Sequence, residues 1–589
     1  MKSFFKFLLA SILGVFIASI IMFFISMGII TALISSADKT VTIPSESLLH
    51  LKLNYPIPDR TPANPFENFD FVNMEPTIDM GLNDILKNIE KATKDEKIKG
   101  IYLDLTIIPA GLATIEEIRN ALIEFKASGK FIIAYADYYV QNSYYLATVA
   151  NKVYLNPKGI IPWTGMRAEV LFFKNTLEKL GLEPQIIRVG EYKSAVEPLI
   201  REDMSKENRE QVNTFLTSIW DYMVFRISEQ RGIPVDSLNY YADKLVIRSA
   251  QTAEEKGLVD GLKYKDEIIR ELKDSMKVDY AKDLKVTTMK KYRHVPEIKD
   301  YKGLARDKIA LVYATGDIMM GEGDDATVGA ERISRAIRKA RRDSSIKAIV
   351  FRVNSPGGSV LASDIIWREV KLAQQAKPVI ASMGNLAASG GYYVVAPADT
   401  ILASPVTLTG SIGVFGILLN AKEFMNDKLG ITADIVKTNE HSDFPSLYRP
   451  LSQPERSFIK YSIEQSYEDF INYVAEGRGM SPDEVKDIAQ GRVWSGVNAK
   501  DIQLIDMYGG LQAAIELAAE KTGLDNYRVV EYPKQEDPFE ALLKEFTNQA
   551  RGRFLKNEMG YYYDHYQQVK NLLRMDKVQA RMPFSIVVE

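Results

Sequence analysis

The 589-residue chain contains no cysteine. That absence excludes disulfide frameworks, thiolate nucleophiles and cysteine-ligated metals together. Histidine is nearly as scarce, with His50, His294, His441 and His565 as the full set, so a histidine-based catalytic apparatus has few residues to draw on. A basic excess is missing as well. The formal net charge of −3 offers no broad surface for neutralising phosphates and argues against nucleic acid as a partner. Arg338 to Arg342 fall in a helical pattern and read as a solvated face. With 46% hydrophobic and 26% charged residues the composition is globular, and the length implies about two to four domains.

Charge is absent altogether from Phe7 to Ala37. That run exceeds both the ~20 apolar residues that span a bilayer and the ~7–15 of a cleavable signal core. It predicts a retained transmembrane anchor within residues 1–40. Lys2 and Lys6 precede the run, whereas Asp38 and Lys39 cancel after it. The positive-inside tendency therefore places the N-terminus in the cytoplasm and the remaining chain across the membrane.

What is present, above all, is a duplication. The stretch ILKNIEKATKDEKIK, Ile85 to Lys99, resembles ISRAIRKARRDSSIK, Ile333 to Lys347, with Ile85, Ile89, Ala92 and Ile98 matching Ile333, Ile337, Ala340 and Ile346. GIYLDLTIIPAGLATIEEI parallels AIVFRVNSPGGSVLASDII, pairing Gly111 with Gly358, and Asp260 near one end pairs with Asp506 near the other. Such self-similarity indicates two copies of one domain. Strands are predicted at Lys308 to Tyr313 and Lys347 to Val353, and helices at Val328 to Arg341 and Leu361 to Gln374. Alternation of this kind implies an α/β fold with mostly parallel pairing. The charged stretch from about Asp274 to Arg306 reads as the connection between copies, and no role follows for the aromatic cluster Tyr561 to Tyr563.

One segment carries chemistry. In KPVIASMGNLAASGGYYVVAPADTILASPVTLTGSIGVFG, Ser389 is collared by Ala387, Ala388, Gly390 and Gly391, which lets another backbone approach its hydroxyl. A buried strand through Pro378 to Ala381 and a helix beginning near Tyr392 would hold it at a strand-to-helix turn, the setting of an acyl-transfer serine. The alignment sets Ser389 opposite Asn142, and Gly390 and Gly391 opposite Ser143 and Tyr144. The first copy has lost the serine and its collar. On the residues alone two bases stay open: His441, with Asp443 nearby, or a lysine whose pKa is lowered by burial. SPGGS, Ser355 to Ser359, follows a strand and offers backbone N–H groups for an oxyanion.

The stretch IIRVGEYKSAVEPLIREDMS, together with RVNSPGGSV and NLAASGGYY, resembles the long, tandem-domain form of the bacterial signal peptide peptidase A family. The resemblance extends from the N-terminal run to roughly residue 530. It implies two Clp protease/crotonase-like domains of repeated β-β-α units after a transmembrane helix. Residues 45–300 would be a degenerate copy that supplies the lysine, 301–535 the copy that supplies the serine, and 536–589 a C-terminal extension. Ser389 would then be the nucleophile and Lys193 the general base. Gly358 and Gly390 would supply oxyanion N–H groups, and Ser411 would orient the lysine. The family uses no cofactor and no metal. It cleaves signal peptide remnants and other unfolded or hydrophobic peptides as a homo-oligomer, a tetramer, anchored in lipid at the bacterial inner membrane with periplasmic catalytic domains. Two other readings are a crotonase-like acyl-CoA hydratase or thioesterase, which needs acidic catalytic residues but not Ser389, and a non-catalytic membrane scaffold.

Overall fold

The computed structural model describes residues 6–7, 10–22, 41–62, 69–70, 75–76, 80–296, 305–535 and 578–582. The first copy runs β1 (Ser47–Lys52), α1 (Leu82–Lys94), β2 (Ile98–Asp104), α2 (Leu112–Ala127), β3 (Phe131–Ala136), α3 (Gln141–Ala147), β4 (Lys152–Leu155), β5 (Glu183–Val189) and α4 (Lys206–Arg231). The second runs β6 (Lys308–Thr315), α5 (Ala330–Arg342), β7 (Ile346–Ser355), β8 (Gly357–Ser359), α6 (Val360–Gln374), β9 (Val379–Ala388), α7 (Gly390–Val395), β10 (Thr400–Ala403), β11 (Leu408–Gly410), β12 (Val414–Asn420), α8 (Gln453–Arg478), β13 (Val493–Ser495) and β14 (Arg528–Tyr532). A last strand, β15, spans Val578–Arg581.

Each copy builds a sheet in the same way. In the first the order is β4-β3-β2-β1, all parallel, with Gly261–Leu262 and Val286–Thr288 at its edges. In the second it is β13-β11-β9-β7-β6-β14, with β10 also beside β9. The apolar runs of β2, β7 and β9 suit parallel strands covered on both faces. The matching helices α1 and α5 bury Ile85, Ile89 and Ala92, and Ile333, Ile337 and Ala340, at helical spacing. The long helices α4 and α8 have 26 residues each and start at serine caps, Ser205 and Ser452. Asp260 and Asp506 do the same work: each accepts a strand N–H, from Val153 or Ile401, and an arginine, Arg231 or Arg478.

The copies are not beads on a string. One hydrophobic core holds Leu49, Ile101 and Leu122 of the first together with Ile309, Leu402 and Leu511 of the second. At its centre Arg352, on β7, reaches back to Asp59 and Glu117. A third sheet sews them along another seam, because β5 pairs antiparallel with β12 from Glu183 opposite Asn420 to Val189 opposite Val414.

Two expectations need correction. The stretch expected as a connection is partly built into the first domain: Val286–Thr288 pairs with β1 because its alternation fits that sheet edge, and the short helix Met289–Arg293 buries Met289 and Tyr292. Residues 297–304 of that stretch lie outside the described residues. The register assigned to Ser389 also moves by one. Tyr392 donates its phenol to the Leu504 carbonyl as Tyr144 does to that of Leu258, so Ser389 stands opposite Gln141 rather than Asn142. The second copy's strand is longer before its helix begins, and that shifts the alignment. Of the predicted anchor, residues 10–22 are helical and 23–37 lie outside the described residues, as do His565 and Tyr561 to Tyr563. Among the described residues no helix is long and apolar enough to cross a membrane.

Candidate active site

Ser389 occupies the turn between β9 and α7 with φ of 56°, a backbone state that costs a non-glycine residue on the order of 1–3 kcal/mol. Its N–H donates to the Gly410 carbonyl at 2.7 Å, which secures the turn. Ser389 is also the N-cap of α7, so the first free N–H groups of that helix lie directly after the hydroxyl. The side chain is fully buried.

Lys193 arrives from the other copy. The β5·β12 pairing carries the chain against the second domain, and four bonds then fix the loop that follows. Tyr192 N–H donates to the Gln490 carbonyl at 3.0 Å, and Arg188 to the Lys193 carbonyl at 3.1 Å. The Gln211 amide donates to the Tyr192 carbonyl at 3.0 Å while its oxygen accepts the Val493 N–H at 3.0 Å. Buried Glu197 braces the same loop, accepting Asn208 at 2.9 Å with Arg188 at 3.6 Å. The lysine stem then passes between Gly413 and Gly491. A Cβ on Gly491 would stand 2.6 Å from Lys193 Cβ, and one on Gly413 3.2 Å from Lys193 Cδ.

The result is a short contact. Lys193 Nζ lies 2.8 Å from Ser389 Oγ, and 3.0 Å from both Oγ and the carbonyl oxygen of Ser411. Lys193 is wholly buried. Desolvation alone drives its pKa well below the ordinary lysine value, because burial penalises the ammonium and favours the free amine. A neutral amine accepts the hydroxyl proton; an ammonium cannot.

Gly358 and Gly390 lie close by. β8 runs beside the start of α7, such that a Cβ on Gly357 would come within 2.6 Å of the Gly390 nitrogen. The Gly357 N–H is taken by Ser355 Oγ at 3.1 Å. Gly358, with φ of 158°, packs so tightly that a Cβ would strike the Ile318 carbonyl oxygen at 2.0 Å. All five expected residues, Ser389, Lys193, Gly358, Gly390 and Ser411, thus converge. His441 does not join them: its ring nitrogen pairs with Glu455 Oε1 at 3.0 Å. His50 pairs with Asp104 at 3.2 Å. Sequence reasoning missed Gln211, Gly413 and Gly491, whose parts depend on contacts between copies, and Glu197, whose bonds to Asn208 and Arg188 lie within the first copy. Among the described residues no cluster of His, Asp and Glu could hold a metal ion.

Among the described residues the first copy holds no such site. At the station of Ser389, Gln141 accepts the N–H groups of Thr164 and Gly165 at 3.0 and 2.9 Å and donates to the Gly165 carbonyl at 2.8 Å. An amide strap stands where the second copy has Ser389.

The family model for peptidase family S49 matches twice, over residues 124–279 and 371–525, once per copy. Protease 4 of Haemophilus influenzae is 38% identical over 448 residues, covering 74% of this chain and 72% of its own length. A protein of Enterococcus faecium called putative signal peptide peptidase SppA is 34% identical over 197 residues, or 33% of this chain and 57% of that one. Among solved structures, a ClpP1 mutant from Listeria monocytogenes aligns with a TM-score of 0.24 and 18% identity, covering 35% of this chain and 94% of its own. The chain belongs to peptidase family S49 and is a serine peptidase.

Proposed function

We propose that Ser389 is the nucleophile and Lys193 the general base of a dyad shared between the two copies, in domains 45–300 and 301–535. The observation that carries this reading is the 2.8 Å contact between Lys193 Nζ and Ser389 Oγ, with the lysine fully buried. Ser389 attacks a peptide carbonyl as Lys193 takes its proton. The N–H groups of Gly358 and Gly390 receive the oxyanion, and Ser411 holds the amine in line. The proton then passes to the leaving amine, and water repeats the cycle on the acyl-enzyme.

The substrates are cleaved signal peptides and similar hydrophobic segments, supported by the resemblance of the YKSAVEP and ASGG stretches and by the printed name of the Enterococcus relative. Such substrates fit an enzyme tethered by the uncharged run from Phe7 to Ala37 to the bacterial inner membrane, with a cytoplasmic N-terminus and periplasmic catalytic domains. Association into a homo-oligomer is supported by a broken symmetry. The second-copy counterpart of β5, around residues 431–437, is exposed at Ile431, Ile435 and Val436, and the counterpart of β12, around 166–172, likewise forms no strand. Pairing these two segments between molecules repeats the β5·β12 contact.

The test is to label purified protein with a serine-directed acylating probe, map the modified residue, and assay a signal peptide as substrate. Labelling at Ser389, and loss of several decades of hydrolysis in a folded Ser389→Ala variant, are expected. Near wild-type turnover in that variant overturns the assignment.

A further inference from the structure

The second sheet ends behind Ser389, and a side chain of the first copy closes its edge. β13 is the edge strand beside β11, with Val493 opposite Gly410. Its inner side serves the site. The Arg492 carbonyl accepts the Ser411 N–H at 2.6 Å, and the Gly410 carbonyl accepts that of Ser389 at 2.7 Å. Its outer side meets no further strand among the described residues, and an edge of this kind presents N–H groups without ladder partners. Gln211, on the second turn of α4 and fully buried, takes one of them: its Oε1 accepts the Val493 N–H at 3.0 Å. The Nε2 of the same amide lies 3.0 Å from the Tyr192 carbonyl oxygen, 2.8 Å from Ser194 Oγ and 3.2 Å from Asn208 Oδ1. Tyr192 and Ser194 flank Lys193 in the chain.

We infer that Gln211 is a positioning residue for the dyad, one neutral amide that sets the gap between the Lys193 loop of the first copy and the edge strand behind Ser389 in the second. The inference rests on the serine–lysine reading above. The contacts close a ring. It runs from Gln211 to the neighbours of Lys193, from Lys193 Nζ to Ser411 at 3.0 Å, from Ser411 to Arg492, and from Val493 back to Gln211. The reach of the glutamine side chain therefore helps to fix where Nζ stops, 2.8 Å from Ser389 Oγ. Seating of α4 on β13 has a separate support, since Ser218 Oγ lies 2.8 Å from Ser495 Oγ. Neutrality matters as well. A carboxylate at this position would accept from Val493 but could not donate to the Tyr192 carbonyl, and its charge would favour the ammonium of the buried lysine. The charged groups around the loop stand in pairs, Arg188 with Glu197 at 3.6 Å and Arg492 with Glu210 at 3.0 Å, and burial is the cause that acts on the amine.

The experiment compares full-length wild type with Gln211→Leu, Gln211→Glu, Ser218→Ala and Lys193→Ala, reading kcat, KM, the pH dependence of kcat/KM and the thermal midpoint with a signal peptide as substrate. Gln211→Leu keeps most of the bulk and removes every bond of the amide. Its kcat is expected to fall about 10²-fold, the cost of misplacing a reacting group by ~1 Å, with KM little changed. Gln211→Glu is expected to move the rising limb of kcat/KM to higher pH, because the added charge favours the ammonium; loss of packing alone does not produce that shift. Ser218→Ala, which removes the other bond between α4 and β13, is expected to keep both kcat and the limb. Wild-type kcat and an unmoved limb in both Gln211 variants, with Lys193→Ala inactive, overturn the inference and leave the dyad standing. A loss of kcat in Ser218→Ala equal to that in Gln211→Leu assigns the effect to seating of the helix and also overturns it. Should Gln211→Leu fail to fold, the limb of Gln211→Glu decides, and an unmoved limb overturns the inference. Turnover retained in Lys193→Ala removes the serine–lysine reading and the inference with it.

Discussion

Gly491 of the second copy forms the wall against which Lys193 of the first is laid, so close that a Cβ there would stand 2.6 Å from Lys193 Cβ and 2.7 Å from its Cα. Gly491 has φ of 80°, so alanine at this position meets backbone strain as well as the collision. Gly491→Ala is expected to push the amine off its line to Ser389. Misplacement by about 1 Å costs on the order of 10²-fold in turnover, and the loss should fall on kcat with KM little changed. Steady-state kinetics on a peptide substrate check this; an unaltered kcat means the loop yields without moving Nζ.

The pH profile tests the identity of the base. Since burial lowers the Lys193 pKa well below that of a free lysine, kcat/KM should rise with pH as the free amine forms and level off below the ordinary lysine range of ~10.4. Lys193→Arg should be as inactive as Lys193→Ala, because a guanidinium stays protonated in proteins. His441→Ala should leave the profile in place, its ring being engaged with Glu455. Turnover retained in Lys193→Arg and abolished in His441→Ala would transfer the role of base to the histidine.

Stability should report the same group. The lowered folded pKa means that the unfolded chain binds the lysine proton more readily. Between the folded pKa and the ordinary value the unfolded state thus holds more protons, and stability rises with pH across that window. Below the folded pKa the whole penalty of a buried ammonium is present. Lys193→Met removes the group at similar length, so it should raise the thermal midpoint most at the acidic end and least at pH 10. A uniform shift across pH would mean that the ammonium is not penalised in the fold.

Much of this was legible in the chain. The helix–strand alternation and the matches Ile85 with Ile333 and Asp260 with Asp506 gave the duplicated α/β organisation, because each copy must satisfy the same burial periodicity and the same aspartate–arginine lock. Ser389 stood out since its collar of small residues is local. Lys193 did not: it reaches Ser389 across 196 positions, and only the resemblance of its surrounding stretch singled it out. The register of Ser389 against Gln141 was hidden by the longer β9, and the placing of β15 is a property of the third sheet with no local pattern in sequence.

The join between copies makes the last prediction. Arg352 is fully buried; its Nε lies 2.8 Å from Asp59 Oδ1 and its Nη2 2.7 Å from Glu117 Oε1, with Ser382 and the Met383 carbonyl as further acceptors. Burial opposes its charge, but Glu117 and Asp59 outweigh that and hold the guanidinium above its ordinary pKa. Burial also pushes the Glu117 carboxyl up in spite of Arg352. Removing the cation strands two carboxylates in a dry core, which costs about 3–5 kcal/mol. Asp59 also accepts Asn354 Nδ2 at 2.7 Å, and Asn354 leads into the Ser355–Ser359 turn beside Ser389, so activity should fall along with stability. Arg352→Leu should therefore lower the urea midpoint strongly at pH 7. The deficit should shrink toward pH 5, because a carboxyl whose folded pKa is raised adds stability at low pH and loses it as pH climbs through that value. Adding Glu117→Gln to Arg352→Leu should recover part of the loss at pH 7 by removing one stranded charge. If the single variant is equally stable at both pH values and the second substitution restores nothing, the two copies are held by their shared apolar core rather than by this ion cluster.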